Sequence, residues 1–165
     1  MLDETLNTLF SIKVLGYDEN DFAYQLQSNY LNLIVESMDN YDISDYINHS
    51  QSYFIKKLND FTRNKDYANA MIELLQMQYD DFHDDYIHVD QSSYYPLYDF
   101  VSEVYYKNRI LPGMSYDEAL KVKNELVEKI TFDVSSGYEI DLDHFDEFFE
   151  DYCNRMGIEI INKSL

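Results

Sequence analysis

Carboxylates and aromatic rings are concentrated between Tyr79 and Tyr106, a segment without any lysine or arginine. It holds nine aromatic rings and seven acidic residues, which are Asp80, Asp81, Asp84, Asp85, Asp90, Asp99 and Glu103. Because no ion pair can form within the segment, its charges must face water, a metal ion or a positively charged partner. No enzyme motif accompanies these residues, so a function has to be inferred from charge.

A second acidic set lies on the last helix that the sequence predicts, Leu142 to Met156. The apolar residues of that segment recur at helical spacing and are Leu142, Phe145, Phe149, Tyr152 and Met156. The acids occupy another face of the same helix and are Asp143, Asp146, Glu147 and Glu150, with Asp151 beside them. Like charges three or four residues apart each destabilise a helix by roughly 0.2–0.5 kcal/mol. An acidic face of this kind therefore opposes folding.

The charge of the whole chain excludes several classes of function. With 32 acidic and 12 basic residues the formal net charge is −20, so direct binding of DNA or RNA is excluded and an anionic membrane would repel the chain. The chain should nevertheless fold, because 45% of its residues are hydrophobic and only four are glycine. An acidic surface without any electrostatic role remains the plainest alternative.

The hydrophobic periodicity predicts the elements that position these groups. We expect an all-α single domain over residues 1–165, built from six or seven amphipathic helices, with one minor strand pair near Tyr138 or over Ile158 to Ile161. The Ser115-to-Glu118 segment is a capping box that starts a helix. Ser44 is the predicted N-cap of a helix from Asp45 to about Phe61, with Ile47 facing inward. Pro96 suits the first turn of a helix that covers Leu97 to Tyr106.

Helical carboxylates three or four residues apart are separated by about 5 Å along the helix axis, which is comparable to the spacing of phosphates on a nucleic-acid strand. A rigid acidic body can therefore occupy the basic groove of a protein that binds nucleic acid. Tyrosines can add anchors by stacking on arginine side chains of such a partner. The candidates for this role are Tyr94, Tyr95, Tyr98, Tyr105 and Tyr106, for which core packing is the alternative interpretation.

The acidic helical segments DHFDEFFEDY (Asp143 to Tyr152) and YDDFHDDY (Tyr79 to Tyr86) resemble phage-encoded DNA-mimic proteins, such as anti-restriction and acidic anti-CRISPR proteins. The resemblance is one of type, since no diagnostic motif aligns. It implies inhibition of a restriction enzyme or an RNA-guided nuclease by occupation of its DNA-binding channel. It also implies a homodimer, because such proteins often dimerise.

A shorter segment resembles a different class of inhibitor. The residues from Asp90 to Pro96 include a Tyr-Tyr-Pro sequence that is similar to the one in colicin DNase immunity proteins. This resemblance implies that Tyr94 and Tyr95 anchor a nuclease toxin, with Asp90 as a peripheral charge.

The histidines offer an enzymatic alternative. Their order in the chain resembles that of the metal ligands in HD-type metal phosphohydrolases. The residues concerned are His49, the pair His83-Asp84, and a later Asp141 or Asp143. The Gly-Lys continuation after the His-Asp pair is absent, because this chain continues with Asp85 and Tyr86. We therefore expect no enzymatic activity, no cofactor and no bound metal.

The single cysteine and the N-terminus bear on the compartment. Cys153 cannot form an intramolecular disulfide, and neighbouring carboxylates should raise its pKa, so it is a poor nucleophile. The first ten residues lack the basic start of a signal peptide, and no apolar run approaches the length of a membrane span. We expect a soluble protein in the cytoplasm of a bacterial host.

Overall fold

The computed structural model describes residues 2–17, 25–64, 67–85, 91–131 and 141–161. At 25, 26, 28, 67, 78–85, 91 and 131 it describes the backbone alone. Seven α-helices lie in these ranges: α1 (Leu2–Lys13), α2 (Gln25–Ser37), α3 (Gln51–Thr62), α4 (Tyr67–Asp85), α5 (Tyr95–Tyr106), α6 (Tyr116–Thr131) and α7 (Leu142–Arg155). Two short 3₁₀ helices, Ile43–Asn48 and Gln91–Tyr94, precede α3 and α5.

The predicted all-α fold is confirmed. One cluster of buried side chains includes residues from all seven α-helices, with α5 in contact with α2, α4, α6 and α7. The described ranges contain no strand, and the segment 158–161, where one was expected, is irregular. Tyr138, the other predicted strand position, lies outside the described residues. None of the helices described is long and apolar enough to cross a membrane.

Several predicted helix ends are confirmed by backbone and side-chain geometry. In the capping box, Ser115 N donates to Glu118 Oε2 at 2.8 Å, and Glu118 N donates to Ser115 Oγ at 3.3 Å. Pro96 stands in the first turn of α5, where its missing N–H removes no helical hydrogen bond. Gly157 follows α7 with φ +71°, a left-handed conformation that favours glycine at a helix end.

The predicted start of a long helix at Ser44 is wrong. Asp42 caps this region instead, since its Oδ1 accepts hydrogen bonds at 2.9 Å from both the backbone N–H and the hydroxyl of Ser44. These bonds stabilise a tight turn that leads into a 3₁₀ helix, and α3 begins only at Gln51. Ile47 is consequently 72% exposed rather than facing the core.

Candidate partner-binding surface

The acidic residues at the end of α4 are only partly placed by the structure. The backbone of Asp80, Asp81, Asp84 and Asp85 belongs to α4, and their side chains lie outside what is described. Asp90 lies entirely outside the described residues. The surface that can be analysed is therefore formed by α5, α6 and α7.

The two faces of α7 are separated as the sequence predicts. Phe145, Phe149 and Tyr152 are buried, whereas Leu142 departs from the prediction and is exposed. Asp141 caps the N-terminus, with its Oδ1 accepting a hydrogen bond from His144 N at 3.3 Å. All five predicted acids of this helix are exposed: Asp143, Asp146, Glu147, Glu150 and Asp151.

Ion pairs divide the acids of α7 into two groups. Lys123 of α6 forms an ion pair with Asp146, and Arg155 donates from Nε to Asp151 Oδ2 at 3.1 Å. Asp143, Glu147 and Glu150 form no ion pair with any residue that the structure describes, so their charges face solvent. These three carboxylates are called the acidic stripe below.

Arg155 connects α7 to α5 through a bidentate ion pair. Its Nη2 lies 2.9 Å from Glu103 Oε2, and its Nη1 lies 3.3 Å from Glu103 Oε1. The guanidinium carbon also lies 4.9 Å from the ring centroid of Tyr152 and 5.7 Å from that of Phe148. Glu103, predicted to meet a partner, is therefore already paired within the chain.

Other basic residues are also engaged by the chain's own groups. Glu36 Oε1 and Oε2 each lie 3.4 Å from an ammonium nitrogen, the first from Lys13 and the second from Lys129. Burial raises the pKa of Glu36, but the hydrogen bond from Asn32 and the two ammonium charges outweigh this and hold the pKa below its usual value. Arg109 donates to Ser37 Oγ at 2.7 Å. Among the described side chains, four cations form ion pairs with acids of the chain: Lys13, Lys123, Lys129 and Arg155.

Asp99 and Tyr95 of α5 meet the N-terminus of α7 in a small polar junction. His144 Nε2 lies 2.6 Å from Asp99 Oδ1, and the His144 ring stacks on Tyr95 with centroids 3.8 Å apart. The Tyr95 hydroxyl donates a hydrogen bond to Asp141 Oδ2. This hydrogen bond, together with the backbone N–H and charge of His144, holds the pKa of Asp141 below its usual value. The junction fixes α5 to α7, and it engages one of the two carboxylate oxygens of Asp99 in a hydrogen bond with His144.

Most of the predicted tyrosine anchors belong to the core. Tyr94 is only 1% exposed, so its prediction as a partner anchor is corrected: its ring is removed from any surface that a partner can reach. Tyr98, Tyr105 and Tyr106 are equally buried, and burial raises the pKa of Tyr106 far above its usual value. Tyr95 is half-buried against His144. The core-packing interpretation therefore holds for four of the five rings.

A pocket of about 420 Å³ opens where the end of α3 meets α5 and α7. Its lining includes Asp99, Glu103 and Lys107, which recur every four residues along α5, and the rings of Phe61 and Phe148. Lys107 Nζ donates to the carbonyl oxygen of Phe61 and lies 4.4 Å from the centroid of that ring. With Phe100, the pocket thus combines two carboxylates with three phenylalanine rings.

Of the residues predicted for a phosphohydrolase, the structure describes the side chains of His49, Asp141 and Asp143 alone. His49 is exposed and stacks on Tyr53 at 3.9 Å, while Asp141 caps α7 and Asp143 points to solvent. The side chains of His83 and Asp84 lie outside the description. Among the described side chains, no three His, Cys, Asp or Glu residues converge in a way that could hold a metal.

Sequence reasoning missed the groups that compensate the acids. Arg155 follows Asp151 by four residues, which is a readable helix pair, but its link to Glu103 spans 52 positions. Lys123 and His144 likewise act through contacts between helices.

The chain matches no known protein family, no curated protein and no solved structure. A functional inference therefore rests on the surface itself.

Proposed function

We propose that this chain is an inhibitor protein that occludes the basic nucleic-acid-binding surface of a bacterial defence nuclease, as an anti-CRISPR or anti-restriction protein acting by DNA mimicry. The partner is a basic protein, a restriction enzyme or an RNA-guided nuclease. The chain itself binds no nucleic acid, because its net charge of −20 repels phosphates.

The acidic stripe is the observation that carries this proposal. Asp143, Glu147 and Glu150 are exposed on one helix, and the basic residues around them pair with other groups. Like charges at these spacings destabilise the helix, so their presence is best explained by a use outside the fold. A basic partner supplies that use, since it would offset the repulsion on binding.

The dimensions of the stripe suit a phosphate track. Asp143 and Glu147 are four residues apart, and Glu147 and Glu150 are three residues apart. These separations correspond to about 6 Å and about 4.5 Å along the helix axis. Successive phosphates on one strand rise by about 3.4 Å, and the oblique course of the strand places them further apart than that. A protein that neutralises phosphates with lysine and arginine side chains can therefore meet the stripe with the same groups.

A competition assay tests the proposal. Purified protein is added to a panel of restriction enzymes and RNA-guided nucleases with labelled target DNA, at 50 and 200 mM salt. We expect one of them to release its DNA, with weaker inhibition at the higher salt because exposed charges are screened. If every nuclease retains its DNA at both salt concentrations, mimicry of these targets is refuted.

A matched pair of triple variants identifies the surface. One neutralises the stripe with Asp143→Asn, Glu147→Gln and Glu150→Gln, and the other neutralises Asp117, Glu125 and Glu128 of α6 in the same way. Both variants change the net charge from −20 to about −17, so long-range attraction to a basic partner changes equally. We expect inhibition to fall at least tenfold for the first variant and little for the second. Equal losses would mean that net charge, rather than the stripe, determines inhibition.

A further inference from the structure

The pocket between α3, α5 and α7 is lined by two carboxylates, one ammonium group and several aromatic rings. Asp99 and Glu103 stand one turn apart on α5, and the rings of Phe61 and Phe148 also line the cavity. Its volume of about 420 Å³ lies within the range of sites that hold small molecules or single side chains. The combination of carboxylates with ring faces favours a ligand that is both charged and flat.

Two of the three phenylalanine rings that line the pocket already contact cations of this chain. The Lys107 ammonium lies 4.4 Å from the Phe61 centroid, and the Arg155 guanidinium carbon lies 5.7 Å from the Phe148 centroid. These distances are within the range in which a ring attracts a positive charge. Lys107 itself lines the pocket, whereas Arg155 is not among its lining residues.

The carboxylates of the pocket retain acceptor capacity. Asp99 Oδ1 contacts His144, while its Oδ2 has no hydrogen bond with a residue that the structure describes. Each oxygen of Glu103 meets one nitrogen of Arg155, and a carboxylate oxygen has two lone pairs. The two side chains are 33% and 45% exposed, so a ligand can reach them from solvent.

We propose that this pocket receives an arginine side chain of the partner. A guanidinium is planar, can stack on a phenyl ring and presents several N–H donors toward neighbouring carboxylates, whereas an ammonium acts as a point charge. The inference rests on the proposed function and deepens it, because it names the residue that a basic nucleic-acid-binding surface would insert. The acidic stripe then supplies long-range attraction, and the pocket supplies a specific contact.

Titration with Nα-acetyl-arginine amide, followed by the backbone amide signals of the labelled protein, tests the pocket directly. We expect saturable shifts at 99–107 and at the end of α3, with Nα-acetyl-lysine amide binding several-fold more weakly. Asp99→Asn should weaken arginine amide binding by about three- to tenfold, since one charged hydrogen bond is lost. Asp117→Asn is the matched control, because Asp117 is exposed on α6 and no described residue of α6 lines the pocket, and it should leave binding unchanged.

A second pair of variants works in the opposite direction. Lys107→Met removes a positive charge from the pocket edge and frees the Phe61 carbonyl oxygen, so arginine amide should bind about threefold more tightly. Lys121→Met makes the same charge change on the exposed side of α6 and should have no such effect. Thermal unfolding of each variant shows whether the fold is retained.

Two outcomes would overturn the inference. Shifts confined to α7, or an Asp99→Asn variant that binds the probe and inhibits the nuclease like the original protein, would exclude the pocket. If the Asp99→Asn variant still inhibits but the stripe variant does not, the pocket is excluded and the proposed function stands. Conversely, if the unmodified protein displaces DNA from no nuclease, the proposed function fails whether or not the pocket binds the probe.

Discussion

Replacing Glu147 with glutamine should stabilise the fold and weaken the partner complex at the same time. Glu147 has like charges at three helical neighbours, namely Asp143, Glu150 and Asp151. Asp151 is compensated by Arg155, so the repulsion comes mainly from the other two. Glutamine has a similar shape and a similar helix propensity, which restricts the change to charge.

The magnitude follows from the number of pairs. Each like-charge pair at this spacing costs about 0.2–0.5 kcal/mol, so removing two should stabilise the protein by about 0.4–1 kcal/mol at low ionic strength. For a chain of this size, 1 kcal/mol corresponds to about 2–4 °C in the unfolding midpoint. We therefore expect a rise of about 1–4 °C.

Glu125→Gln on α6 is the matched control. Glu125 has Lys121 and Lys129 four residues away on either side and Glu128 three residues away. Because Lys129 is also paired with Glu36, the attraction that is lost only slightly exceeds the repulsion. Its unfolding midpoint should stay the same or fall by about 1 °C. The same substitution should thus raise the unfolding midpoint on α7 but not on α6.

Circular dichroism during thermal unfolding at pH 7, in 20 mM and 500 mM NaCl, measures both variants. The gain for Glu147→Gln should shrink at the higher salt because the interaction between exposed charges is screened. A lower midpoint, or a gain that does not depend on salt, would refute the reasoning. The latter result would point to a packing effect, and the acidic stripe would then carry no stored repulsion.

Three further predictions concern single residues. Tyr94→Ala should destabilise the protein by about 3–5 kcal/mol in a denaturant titration, because it empties a core position, whereas a surface anchor would leave stability unchanged. Burial, followed by the charge of Glu150, raises the pKa of Cys153 to about 11, so the native thiol should react with iodoacetamide at pH 8 far more slowly than the unfolded chain does. Asp141→Asn keeps the helix cap and removes a carboxyl whose folded pKa lies below 3.8, so the loss of stability as the pH falls below that value should become less steep.

Much of the helical pattern was readable because it depends on neighbours in the chain. The buried face of α7, the capping box at Ser115 and Pro96 in the first turn of α5 are local signals, and all three are confirmed. The break before α3 was missed because the side chain of Asp42 competes for the backbone of Ser44. The side chain of Asp42 competes with helix formation within a single turn of the chain. Hydrophobic periodicity is read over several turns and does not detect such a local competition.

The candidate surface was less readable because its charges are compensated across helices. Lys123 reaches Asp146 and Arg155 reaches Glu103 only once α5, α6 and α7 have packed together. A tyrosine also looks the same in sequence whether its ring packs inside or reaches a partner, so the burial of Tyr94 had no sequence signal. The acids of α7 are exposed as the sequence predicted, but which of them lack an ion pair became clear only from the structure.

The central position of α5 has a consequence for the rate at which a partner can bind. Eight of its twelve residues are buried, and its two acidic side chains, Asp99 and Glu103, are fixed to α7 by His144 and Arg155. These carboxylates are held in place before any encounter, so association requires little ordering of the inhibitor. We therefore expect an association rate that is set by diffusion and charge, falls steeply with added salt and shows no slow isomerisation phase.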